Sequence, residues 1–148
     1  MRFFFYGTLL AGSDNPVARF VHEKLDLIGP AEARGGLHGV PDPEGWYPAL
    51  VPGEGRAHGR LYAAKPSFSA ADLARLDAYE DFDPARPEAS LYVRQPVEVL
   101  GPDRTLGRAD AYVFNQPLPA GSRPLPGGDF RAWLAEQGLE QFRGLRES

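Results

Sequence analysis

Apolar and polar positions alternate along this chain in stretches short enough to mark its elements. Phe3-Phe4-Phe5-Tyr6 is an aromatic run of strand character that stops at Gly7, a residue tolerant of backbone angles that side chains resist. Asn15-Pro16 then opens a helical segment through Val17-Ala18-Arg19-Phe20-Val21, with Asn15 as cap and Pro16 in the first turn, where its missing N–H is not needed. Phe20, Val21, Leu25 and Leu27 carry the chain back toward a core. From Ala31 to Val40 the alternation is weak and broken by glycines, as in the twisted or bulged strands of a small barrel.

Turn clusters at Pro41–Gly45 and Pro52–Gly55 bracket a predicted strand over Trp46–Val51, and Ala57–Ala64 reads as its antiparallel successor. The clearest helix runs from Ser67 to Glu80: Ser69 suits the N-cap, Asp72 completes a capping box, and Leu73, Leu76 and either Tyr79 or Glu80 recur at helical spacing. After an irregular stretch around Asp83-Pro84 and Arg86-Pro87, Leu91–Leu100 alternates as a half-buried strand. Gly101-Pro102-Asp103 turns it into a returning strand over Arg108–Phe114. The Pro- and Gly-rich segment from Gln116 to Gly128 is expected to run extended over the surface. Asp129 then caps a short amphipathic helix over Phe130–Gln137, closed by Gly138.

A length of 148 residues suits a single domain over 1–148, with a core over about residues 1–115 and a C-terminal extension with a short helix over 116–148. Hydrophobic residues at 43% and charged residues at 24% are globular values. A net charge of −4 offers no broad cationic surface for phosphate backbones, so nucleic acid is not an expected partner. Cysteine is absent, which removes disulfides and thiolate chemistry and suits a reducing compartment. No apolar window has the length of a membrane span, so a cytoplasmic protein with no membrane partner is expected.

His22, His38 and His58 are scattered without metal-ligand spacing, and neither a GxxxxGK[ST] loop, a GxGxxG fingerprint nor a GxSxG elbow is present. The remaining candidates are main-chain donors and carboxylates. Consecutive amides from Tyr6 to Leu9 around Gly7 can converge on a carboxylate or carbonyl oxygen, or the segment is simply a core strand ending at a turn. Glu80 falls where a helix runs out, with Asp77, Asp81 and Asp83 close by. If partly buried there, its pKa rises toward neutrality and it can shuttle a proton; otherwise it is an exposed residue at a helix end.

Tyr6-Gly7-Thr8-Leu9, Tyr47-Pro48-Ala49-Leu50, Gly59-Arg60-Leu61-Tyr62, Leu76-Asp77-Ala78-Tyr79-Glu80 and Leu91-Tyr92-Val93-Arg94 before Val97-Glu98-Val99 occur in that order across about residues 2–115. In this respect the chain resembles the gamma-glutamylcyclotransferase-like family, in its AIG2-like and gamma-glutamylamine cyclotransferase branch. The resemblance implies an α+β fold: a small mixed, mostly antiparallel β-barrel with flanking helices and a pocket floored by the Tyr6–Leu9 loop. It implies that Tyr6, Gly7, Thr8 and Leu9 hold a glutamyl group and that Glu80 is the general acid and base for closure of a gamma-glutamyl amine, amide or peptide to 5-oxoproline. Nucleophile and electrophile then share one molecule, and neither metal nor cofactor is required. Tyr92 can present its hydroxyl to the pocket; Arg94 either orients a carboxylate there or pairs with an acid on the outer face of its strand. Two features depart from the family pattern. Leu10-Ala11-Gly12 stands where close relatives often carry a basic residue, and Asp81–Ser90 is longer and richer in proline. Two other readings use the same residues: a non-catalytic module binding a small carboxylate metabolite, and a hydrolase or lyase in which Glu80 activates water.

Overall fold

The computed structural model describes residues 1–7 and 16–141. Five strands form a closed ring: β1 (Arg2–Phe5), β2 (Leu25–Asp42), β3 (Gly45–Ala64), β4 (Tyr92–Leu100) and β5 (Leu106–Phe114). They run in the order β3-β1-β5-β4-β2, and a further β2–β3 pairing closes the circle; a two-residue β6 (Arg123–Pro124) lies along β2. The β1–β5 pair is parallel and the other pairings are antiparallel, so the barrel is mixed and the fold is α+β. Among the described residues three α-helices accompany it: α1 (Pro16–Glu23), α2 (Ala70–Tyr79) and α3 (Phe130–Gln137). Among the described residues no helix is long and apolar enough to cross a membrane.

The period-two pleat divides the β1 aromatics between two apolar cores. Phe3 and Phe5 join Val17 and Val21 of α1 and Leu76 and Tyr79 of α2, so this core is where the helices meet the outside of the sheet. Phe4 and Tyr6 join Ala31, Ala33, Ala57, Ala109 and Ala111, drawn from β2, β3 and β5, together with Phe130 and Leu134 of α3. Alanines recur in this second core because side chains from opposite walls of a five-stranded ring must fit in the same narrow interior. Each fully buried phenylalanine contributes about 1.5–3 kcal/mol relative to exposure.

The turn expected at Pro52–Gly55 is not a turn. Val51 pairs with Gly36 and Arg56 with Arg34, so four residues of β3 bulge opposite Gly35 and the strand continues along the same partner. Glycines make this possible: a Cβ on Gly35, whose φ is +152°, would lie 2.7 Å from Leu50 Cδ1, and one on Gly55 2.8 Å from the Gly35 carbonyl. Likewise Leu25 and Leu27 open the long β2 strand, and Leu125, within the segment expected at the surface, is buried in the second core.

Candidate active site

Helix α2 presents the acid. Ser69 Oγ accepts a hydrogen bond from the Asp72 amide at 3.2 Å and Asp72 Oδ2 accepts one from the Ser69 amide at 2.8 Å, the reciprocal capping box that sets the helix start. Leu76 and Tyr79 then face the outer core, which turns Asp77 and Glu80 inward as well; these two acids are 4% and 8% exposed. The far end closes as a Schellman motif: the Asp81 amide donates to the Ala78 carbonyl at 3.1 Å and the Phe82 amide to the Asp77 carbonyl at 2.9 Å. Asp81 occupies the left-handed position of that motif at φ +54°, where glycine is usual. Glu80 therefore sits at the C-cap, with φ −88° and ψ 13°, held from both sides.

Asp77, one turn before Glu80, anchors a polar network on the outer wall. Tyr112 Oη donates to Asp77 Oδ1 at 2.6 Å, and Arg94 Nε donates to the same oxygen at 2.9 Å. Arg94 also reaches Asp77 Oδ2 at 3.4 Å and Asp110 Oδ2 at 3.2 Å, so its guanidinium ties α2 to both β4 and β5. Burial pulls Arg94 down, yet the hydrogen bond and charge of Asp77, with Tyr112 and Asp110, hold it above its ordinary value. Tyr112 is pushed far up by burial, by its hydrogen bond to Asp77 and by the negative charges of Asp77 and Glu80. It stays a neutral donor beside the acid.

From Tyr112 the connections run to the first strand. The Tyr6 hydroxyl donates to the main-chain carbonyl of Tyr112 and accepts from the Leu50 amide at 3.3 Å, bracing β1, β3 and β5 together. Gly7 packs directly on Pro48: a Cβ there would lie 2.3 Å from Pro48 Cγ. Tyr92 Oη donates to the Pro48 carbonyl at 2.7 Å, so Gly7 and Tyr92 meet the same residue of β3. Thr8 and Leu9 lie outside the described residues. Among the site residues expected from sequence, Gly7 and Tyr92 meet at Pro48, and Tyr6 bonds to Tyr112 and Leu50; Arg94, on the same face of β4 as Tyr92, pairs with Asp77 and Asp110, and Glu80 lies three residues after Asp77 on α2. The role of Tyr112, and that of Asp77 as the acid to which it donates, escaped the sequence. A hydrogen bond across 35 positions has no local signal, although the three-residue spacing of Asp77 and Glu80 already put both on one helical face. Among the described residues no group of three or more His, Asp or Glu is placed to hold a metal ion.

A closed mixed barrel flanked by helices, with a buried carboxyl group at the end of one of them, defines a class of small α+β proteins. The chain belongs to the gamma-glutamyl cyclotransferase, AIG2-like family, whose model matches residues 3–132. Solved structures of the same fold include an uncharacterised protein of Pyrococcus horikoshii, with TM-score 0.60 and 17% identity over 93% of this chain and 96% of that one. An AIG2-like mouse protein aligns with TM-score 0.59 and 24% identity over 80% of this chain and 79% of that one. Escherichia coli YtfP aligns with TM-score 0.54 and 28% identity over 88% and 96%. No match to a curated protein was found.

Proposed function

We propose that this protein is a cyclotransferase that closes a small gamma-glutamyl amine, amide or peptide to 5-oxoproline, with Glu80 as its general acid and base. The observation that carries this reading is the placement of Glu80: almost withdrawn from water at the C-cap of α2, three residues after Asp77, which accepts from the hydroxyl of Tyr112, whose carbonyl in turn accepts from Tyr6 next to Gly7. Main-chain amides of Tyr6, Gly7, Thr8 and Leu9 hold the glutamyl group in this proposal, and Tyr92 braces Pro48, the residue on which Gly7 packs. Glu80 accepts a proton from the substrate's α-ammonium group. The freed amine attacks the side-chain amide carbonyl and a C–N bond forms to close the five-membered ring; Glu80 returns the first proton to the departing nitrogen as its bond breaks, and the second proton, which the ring nitrogen must lose, passes through the same carboxylate to the amine, which leaves as an ammonium ion. Atoms balance without any co-reactant.

The test is Glu80→Gln, assayed against a panel of gamma-glutamyl amines and dipeptides with 5-oxoproline measured directly. The carboxamide keeps the size of the side chain but cannot carry the proton, so turnover should fall by about 10²- to 10⁴-fold while unfolding and ligand affinity change little. Unchanged turnover would overturn the assignment. Gamma-glutamyl binding without any lactam in the unmodified protein would point to the binding module instead, and free glutamate to a hydrolase.

A further inference from the structure

The barrel carries a second cavity, of about 520 Å³, between β3, the β4–β5 turn and the start of α3. Its charged lining is Arg60 and His58 of β3, Arg104 of the turn, Arg131 of α3, and the acids Glu32 and Asp129. Both acids have engagements in the wall. Asp129 caps α3 by accepting from the Ala132 amide at 3.0 Å, and Glu32 Oε1 lies 4.0 Å from His58 Nε2. Three guanidinium groups against two carboxylates leave a cationic excess in a concave site, while Pro30, Leu100 and Pro102 supply apolar wall.

The backbone around this cavity is built to close approaches. The His58 amide donates to the Gly128 carbonyl at 2.6 Å, and a Cβ on Gly128 would lie 1.9 Å from the Arg56 carbonyl, so only glycine seats the start of α3 this tightly on β3. Gly29, at φ +150°, lets Pro102 pack on β2 where a Cβ would meet it at 2.9 Å, which lays the β4–β5 turn over the same opening. Arg104 itself holds φ +63°, a conformation that suits glycine or asparagine better than arginine.

That seat brings like charges together. Burial, and after it the positive charge of Arg60, pull the Arg131 guanidinium down from its ordinary value. Two cations brought together in a partly desolvated hollow raise the potential that draws in an anion, and the guanidinium fork matches the paired oxygens of a carboxylate or phosphate.

We infer that this cavity, whose lining includes Tyr6 but not Glu80, is a binding site for a small molecule with a doubly charged oxyanionic head, held by Arg60, Arg104 and Arg131. Its volume exceeds that of a bare ion, and the apolar wall of Leu100 and Pro102 suits a short neutral body attached to the head. The site stands whether or not the lactam-forming reaction does.

Thermal unfolding and isothermal titration with inorganic phosphate and, separately, with succinate test it, with chloride at matched ionic strength as the reference. The expected result is a saturable rise in Tm with one of the two dianions beyond that with chloride; which one identifies the head as phosphate or dicarboxylate. Arg60→Gln and Arg131→Gln should each weaken that binding at least tenfold, whereas Arg34→Gln, an exposed arginine outside the cavity, should leave it unchanged. A response no greater than chloride's for both dianions, or affinity retained in both cavity variants, overturns the inference.

Discussion

Position 7 is glycine because Pro48 occupies the space a side chain would take. Proline's ring is stiff, so the 2.3 Å approach of a Cβ at Gly7 to Pro48 Cγ cannot be relieved by a rotamer change; β1 and β3 would have to part. Gly7→Ala is therefore expected to lower stability by about 1–3 kcal/mol, measured by urea unfolding, and to lower turnover as well, since the displaced loop is the one proposed to hold substrate. A stability within 0.5 kcal/mol of the parent, roughly that of an ordinary surface substitution, would show that the contact yields freely. The same residue shows what a sequence carries at this scale. The break at Gly7 was legible as a change in backbone preference, and Glu80 as an acid at a helix end. The reason for Gly7 was not, because Pro48 lies in another strand and reads locally only as an interruption of it.

Helix α2 was legible from end to end because its signals are local: cap, capping-box partner and apolar stripe all fall within a dozen residues. Strand β3 was legible only in halves. Pro52–Gly55 carries every chemical mark of a chain reversal, and what makes it a bulge is the pair Gly35-Gly36 on the neighbouring strand. The α2 cap also yields a pH dependence with a definite sign. The backbone hydrogen bond from Ser69, against an opposing contribution from desolvation, holds Asp72 below its ordinary carboxylate value. A folded-state pKa depressed below the unfolded one adds stability above the unfolded value and loses it as pH falls through the folded value. Below about pH 4 the parent should therefore lose stability on acidification more steeply than Asp72→Asn, as followed by chemical unfolding at a series of pH values. Parallel curves would mean that the capping box persists with Asp72 protonated.

Across the whole molecule, β1 has neighbours on both sides, β3 antiparallel and β5 parallel, while β6 adds only two residues to the edge of β2. Its aromatics also feed both apolar cores. Amides of Phe3, Phe4 and Phe5 should then exchange with solvent only through global unfolding, with protection matching the full unfolding free energy, whereas those of Arg123 and neighbouring residues should exchange through local opening. Native-state hydrogen exchange by NMR reads this directly, and β1 amides exchanging as fast as those near β6 would show that the ring opens at its first strand. The closed ring was legible from the sequence only through family resemblance; composition and alternation name strands but not which of them adjoin.

The bond from Tyr6 to Tyr112 joins residues 106 positions apart. During synthesis the aromatic segment of β1 must wait for β5 before it has its final neighbour. Until then its apolar side chains lack their final partners, so the insertion of β1 between β3 and β5 is the step most open to misassembly.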